Sequence, residues 1–383
     1  MGYDRLYFLK KAYAIWPGVV APVSGGFLAA HYRRRRAERG PLRAALDALV
    51  GLAFKAWIPW RAGKVQRKFG LDDAWRARAV RIARARFADP QDVALFRIEA
   101  ANDLDGYVRR FEDAALNKRI NPRGWRPDCA LADKARFYAR CREAGLPHPQ
   151  TVAVLRQGRL EIHADPAGRA LIAKPADGEG GDGLVVLGAF ADAEELEAAL
   201  PPHVRGRPGV TVIQPRIGIH PALRDLALDA LPTVRVVTIL DEGDAPEVVS
   251  ATFRFASDPT ARVDNMKAGG LIAAVDLTAG TLGVACRGYG GGDHEVHPVT
   301  GAPVTGRALP DWDAVKALAV RAHAVAFADY ALIGWDVAMT PDGPLLIEGN
   351  GKPGVLMPQR AARRGLGEGR YGALLAHHLA TKP

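Results

Sequence analysis

Cysteine is scarce in this chain. Cys129, Cys141 and Cys286 are the three present in 383 residues, and no two have C-x-x-C spacing. That excludes a disulfide framework and a cysteine metal site, and it fits a reducing compartment. A long unbroken apolar run is also missing. Residues 14–30 are uncharged, but Pro17, Gly18, Pro22, Gly25 and Gly26 interrupt them. The stretch is short for a membrane span and unconvincing as a secretory signal. Acidic residues are sparse at one end. Residues 1–126 carry 26 Lys and Arg against 12 Asp and Glu, the remainder 26 against 30, and the net charge is +10. The basic excess therefore belongs to the N-terminal third. No nucleophilic constellation is evident, and no nucleic-acid recognition motif accompanies the charge, so a nucleic-acid partner is not expected.

What remains is globular composition, 48% hydrophobic and 25% charged, with length for two or three domains. Residues 1–127 read as mostly helical, with residues 74–88 a strong helix former. Arg33 to Arg36 form a basic run, and Phe54, Trp57, Ile58 and Trp60 lie among Lys55, Arg61 and Lys64. A helical layer with its aromatics packed on the main body and its arginines in water is the favoured reading. Peripheral contact of residues 1–70 with an anionic inner-membrane surface is the other. The turn at residues 121–124 marks a boundary.

The organising stretch is residues 171–187. An apolar strand ends in Lys174, a loop holds Gly178, Gly180, Gly181 and Gly183, and a second apolar strand leaves it. The glycines thus sit at a hairpin tip, whereas the common phosphate loops run from strand to helix. Such a loop exposes successive backbone N–H groups that can close over phosphate oxygens, and Lys174 adds a point charge at its base. A flexible hairpin tip is the plain alternative.

Before the hairpin, residues 132–144 form an amphipathic helix stopped by Gly145, with Lys134 in its first turn, and residues 151–155 form a strand. Alone, Lys134 is an ordinary surface lysine. After the hairpin come a helix at 191–199 and strands at 210–214, 233–240, 248–255 and 271–275. Arg235 and Arg254 lie inside apolar strands and need anionic partners, which a protein carboxylate would also supply. The glycine cluster at 288–292 reads as a surface loop and residues 314–328 as a helix. Residues 333–339 and 344–348 form a last hairpin around the turn at 341–343. It brings Asp336 near Glu348 and Asn350, which share a face. Two carboxylates and an amide oxygen suit Mg²⁺, although three polar strand-end residues would look the same.

In this order the parts resemble the ATP-grasp superfamily. The match runs from Asp133-Lys134 and Gly145-Leu146-Pro147 through Lys174 and the glycine hairpin to Asp336, Glu348-Gly349-Asn350 and Pro353-Gly354. It looks most similar to the sugar-transfer-associated, alpha-L-glutamate-ligase-related branch. The TVRVVT strand at 233–238, the stretch from Asn265 to Gly270, and His297-Pro298-Val299-Thr300-Gly301 carry that likeness.

The resemblance implies an α+β ATP-grasp fold. Two subdomains clasp a nucleotide over residues 128–383, with a lid at about 150–217 and the helical region 1–127 in front. It implies that Lys134 and Lys174 contact phosphates or adenine, with the loop from Gly178 to Gly183 as the lid. Gln214 and Ile217 would lie at the hinge beside adenine, though many relatives carry an acid where this chain has Gln214. Arg235, Arg254 and Asn265 are the implied catalytic set, the arginines neutralising transferred phosphate or acceptor carboxylate. Asp336, Glu348 and Asn350 match the Mg²⁺ ligands. The implied activity is an ATP- and Mg²⁺-dependent carboxylate–amine ligase working through an acyl phosphate. Its acceptor would be a small molecule, sugar or peptide, and its location cytoplasmic. A phosphotransferase on the same fold and a non-catalytic ATP-binding partner in polysaccharide assembly are the alternatives.

Overall fold

Alternation of apolar and polar residues divides the β-rich part of the chain into two antiparallel sheets. The computed structural model of the chain describes residues 26–178, 181–261, 263–264, 269–288 and 292–381. Gly180, Asn265, most of residues 1–30, the 265–268 stretch and the centre of the second glycine cluster lie outside them.

The smaller sheet has strands β1 (Ala153–Arg156), β2 (Arg159–Ile162), β3 (Leu171–Pro175), β4 (Val185–Gly188) and β5 (Val210–Pro215), in the order β2-β1-β5-β3-β4. Side chains alternate between faces along a strand. Leu171, Ala173 and Ile213 accordingly pack with Val152, Leu155, Phe190 and Leu196 into one core. Ile172 and Lys174 point the other way, into a cleft.

The larger sheet has strands β6 (Thr233–Leu240), β7 (Pro246–Phe255), β8 (Leu271–Ala274), β9 (Ala285–Arg287), β10 (Asp293–His294), β11 (Leu332–Thr340) and β12 (Gly343–Asn350). Their order is β10-β9-β8-β7-β6-β11-β12. Val234, Val236, Phe253, Ile333, Trp335 and Val337 share one face and form the main core. Two helices cover it, Lys134–Glu143 and Trp312–Ala326, whose Phe137, Val315 and Ala319 join the same core.

The opposite face is split. At one end Val237, Ile239 and Leu332 lie under Tyr32, Leu116 and Leu375. These come from α1 (Ala29–Ala37), the helix Arg110–Ile120 and the C-terminal helix Arg370–Thr381. At the other end the same face carries Thr233, Arg235 and Asp336 and is open to the cleft. The N-terminal region thus caps the apolar half of a face whose polar half belongs to the site.

The rest of that region packs around α2 (Pro41–Phe69) and α3 (Asp73–Arg86). Phe54 and Ile58 do not reach the sheets. They pack against Phe87 and Phe111 inside the helical layer itself. Among the described residues no helix is long and apolar enough to cross a membrane.

Element bounds differ modestly from expectation. The helix expected at 314–328 is Trp312–Ala326, that at 191–199 is Ala193–Ala199, and the strand expected at 151–155 is Ala153–Arg156. The helix expected at 132–144 is Lys134–Glu143, because Asp133 caps it by accepting from the Arg136 amide at 2.9 Å.

Candidate functional site

Register builds one side of the site. Thr252 of β7 pairs with Arg235 of β6, Arg235 with Asp336 of β11, and Asp336 with Glu348 of β12. The four side chains form a row across four strands, as directly opposed residues on one face do. Gly334, two residues before Asp336, makes room for the row. A Cβ there would meet Pro353 at 2.7 Å and the Arg235 side chain at 3.1 Å.

Both arginines find carboxylate partners in the protein. Arg235 holds Asp336 through Nε and Nη2, the second bond at 2.9 Å. Arg254 reaches Asp336 with Nη1 at 3.1 Å and Asp264 with Nη2 at 2.8 Å. Thr233 donates to the second oxygen of Asp264. Asp264 was not legible as a site residue, because its role depends on a fold contact with Arg254 ten positions earlier.

The charges of the row are unequal. Burial resists ionisation of Asp336, but Arg235 and Arg254 outweigh it and hold its carboxyl well below the usual carboxylate range. Glu348 is pushed the other way, first by burial and then by the charge of Asp336.

The other side of the site comes from the smaller sheet and the helix Lys134–Glu143. The Lys134 amide donates to the carbonyl of Ala176 at 2.9 Å, which ties the helix start to the base of the glycine loop. The Lys134 ammonium donates to the Gly178 carbonyl and lies 3.6 Å from Glu348. Lys174 is 7% exposed and donates to the Tyr138 hydroxyl at 2.8 Å, which in turn donates to the Ile347 carbonyl at 2.6 Å. Among the described residues no carboxylate lies within ion-pair distance of Lys174. Burial, then the neighbouring Lys134, brings its ammonium down to about 7. Tyr138 carries no motif of its own in the sequence. It lies one helical turn after Lys134, so the i, i+4 spacing was the available signal.

At the hairpin tip Gly181 has φ +79°, and a Cβ there would meet Val263 at 2.4 Å. The tip thus packs directly on the segment before Asp264. Gly178 and Gly181 line the cleft with Lys134, Lys174, Ile217, Arg254, Asp336 and Glu348. Arg235 and Asn350 line an adjoining cavity of about 430 Å³, which shares Lys134, Gly178, Arg254 and Glu348 with the first. Gly183 and Gln214 line neither cavity. Gly183 faces Pro175 and Arg207, and the Gln214 amide donates to the Pro149 carbonyl at 3.2 Å. His297 is a structural residue. Its Nδ1 accepts from the amides of Val299 and Thr300, and its Nε2 donates to the Ala256 carbonyl at 2.8 Å.

Among the described residues no cluster of three or more His, Cys, Asp and Glu side chains is placed to hold a metal. Asp336, Glu348 and Asn350 instead offer two carboxylates and an amide, the sparse oxygen set that Mg²⁺ uses when substrate phosphates complete its shell.

No curated protein matches the chain. Solved structures similar to it include the L-amino acid ligase of Bacillus licheniformis, at 15% identity over 58% of this chain and 40% of that one, with a TM-score of 0.33. The D-alanine–D-alanine ligase of Bacillus anthracis is 14% identical over 66% of this chain and 67% of its own, at TM-score 0.37. The D-alanyl-alanine synthetase A of Vibrio cholerae O1 is 12% identical over 66% of each chain, at 0.40. This chain thus spans well under half of the B. licheniformis ligase. The family model described as sugar-transfer associated ATP-grasp matches residues 112–370, beginning within the helix Arg110–Ile120. That match takes in both sheets, the glycine hairpin and the Arg235–Asp336–Glu348 row, and the chain belongs to the sugar-transfer-associated ATP-grasp family.

Proposed function

We propose that the protein is an ATP- and Mg²⁺-dependent carboxylate–amine ligase. The observation that carries this reading is the cleft itself. Two lysines and a glycine hairpin tip from one side face two carboxylates and two arginines from the other. Lys174 supports a phosphate ligand, because a buried ammonium with no carboxylate within ion-pair distance among the described residues gains an anionic partner when a triphosphate arrives.

In the proposed reaction an oxygen of the acceptor carboxylate attacks the γ-phosphorus of ATP, and the bond to the β-phosphate oxygen breaks to release ADP. The amine then attacks the acyl carbon, phosphate leaves with the acyl oxygen, and the amine proton passes to solvent. Asp336, Glu348 and Asn350 would hold Mg²⁺, which when bound neutralises charge on the phosphate oxygens. Lys134 and Lys174 orient the phosphates. The loop from Gly178 to Gly183 excludes water, and water exclusion protects an acyl phosphate from hydrolysis. Arg235 and Arg254 face the adjoining cavity, where an anionic acceptor would meet their guanidiniums. No nucleophilic side chain is required.

The test is ADP release from Mg²⁺·ATP with hydroxylamine present, across pools of amino acids, sugar acids and short peptides. ADP together with a hydroxamate is expected, since hydroxylamine traps an acyl phosphate. ADP with a phosphorylated product and no hydroxamate would replace the ligase by a phosphotransferase.

A further inference from the structure

The helix α2 has two faces of opposite character. Asp47, Gly51, Phe54, Ile58, Ala62 and Val65 are buried against the helical layer. On the other side Leu42, Leu46, Leu49 and Leu52 are 88%, 42%, 65% and 65% exposed. At 100° per residue these leucines, with Ala45, Ala53 and Ala56, fall on one outward stripe that runs on to the half-exposed Trp60. No charged residue lies on that stripe between Leu42 and Trp60, a distance of about 27 Å. Scattered apolar side chains are normal on a surface, whereas a continuous stripe of this kind marks contact with something else.

The charge around the stripe has one sign. The helix holds six basic residues, Arg43, Lys55, Arg61, Lys64, Arg67 and Lys68, and a single acid, Asp47. Asp47 is buried and bridged by Arg39 at 3.2 Å and Arg43 at 3.4 Å. Lys64 and Arg67 are exposed and continue the outward stripe beyond Trp60, and the Lys64 ammonium sits 4.0 Å from the Trp60 ring centroid. The leucine stripe therefore ends in an aromatic–cation pair, the composition of a helix lying in a lipid interface.

The geometry points to an anionic lipid surface as the partner of this face. The helix would lie along the surface with its leucines at the boundary between headgroups and acyl chains and Lys64 and Arg67 at the headgroups. A second copy of the chain carries the same positive charge, whereas anionic headgroups carry the complementary one. The buried face keeps its packing, so docking needs no unfolding. The inference is independent of the proposed chemistry.

The test is co-sedimentation of the full-length protein with phosphatidylcholine vesicles, with and without phosphatidylglycerol. Binding to the anionic vesicles only, weakened by added salt, is expected. Leu46→Glu with Leu49→Glu should reduce partitioning by about tenfold per leucine, since each loses its transfer into lipid. Lys64→Glu with Arg67→Glu should reduce it by about tenfold or more. Both double variants should keep the wild-type thermal midpoint, because the four side chains are exposed. No binding to either vesicle overturns the proposal, and so does equal binding by wild type and the leucine variant. A wild-type dimer that the leucine variant converts to monomer, without vesicle binding, would assign the face to a second copy. Binding gained only on deleting residues 1–25 would assign it to those residues.

Discussion

Lys174 holds its ammonium against a phenol, with no carboxylate within ion-pair distance among the described residues, and Glu348 holds a carboxyl that burial and Asp336 push toward the neutral form. Each is an uneasy charge that its own ligand would complement, phosphate for Lys174 and a dication for Glu348. Glu348→Gln is expected to lower Mg²⁺·ATP turnover by about tenfold or more while leaving the fold intact. Unchanged ADP release in that variant would remove the metal assignment. Asp336 has a second, structural duty, because two arginines lean on it. Asp336→Ala leaves Arg235 largely buried and uncompensated, and is expected to destabilise the protein by roughly 3 kcal/mol in chemical denaturation. The two lysines and the acid pair were legible from their positions in the chain order. Tyr138 and Asp264 were not, since each matters only through a partner that folding brings near.

At the scale of elements, the two hairpins were readable from period-two apolar alternation around turn residues, and the opposition of Asp336 and Glu348 follows from the second. The pairing of β6 with β11, which sets Arg235 against Asp336, joins strands about a hundred residues apart and leaves no local trace. Strand parity puts Gln214 on the cleft side of its sheet, yet it lines neither cavity. It stands opposite Ile172 in β3, and its amide is spent on the Pro149 carbonyl. The hairpin tip makes its own prediction. Gly181→Ala places a methyl on Val263 in a left-handed conformation, so the tip must move. Nucleotide affinity is expected to fall, with the unfolding free energy shifting by only about 1 kcal/mol because the tip is exposed. Equal affinity of variant and wild type in a direct titration would detach the tip from the site.

At the scale of the whole molecule, the helices around the larger sheet were expected as a layer, but which face they cover was not. That face is chosen by where Val237, Ile239 and Leu332 give way to Arg235 and Asp336 along the same strands. Beneath the other face a buried polar chain locks helix to sheet. Trp335 donates to Thr238 at 2.8 Å, the Thr238 hydroxyl lies 2.8 Å from His323 Nδ1, and His323 Nε2 donates to the Tyr330 carbonyl at 2.9 Å. With Nε2 as donor, the hydroxyl proton points to Nδ1 and the ring is neutral. Burial lowers the imidazole to about 4. The folded state thus binds its proton more weakly than the unfolded chain does. The associated stability, roughly 3 kcal/mol, is present above about pH 6.5 and is lost as pH falls toward 4. Thr238→Val removes the middle of the chain and is expected to cost about 1–3 kcal/mol. Denaturation midpoints measured across that pH window check both expectations.

On the proposed function, the cleft between the two sheets takes Mg²⁺·ATP through Lys174. The most direct measurement is calorimetric titration of Mg²⁺·ATP into the wild-type protein and into Lys174→Met, whose apolar side chain removes the buried charge without opening a cavity. Saturable binding to wild type is expected, with a loss of about tenfold or more in the variant and the variant at least as stable to heat. Equal affinity in the two proteins would contradict that reading.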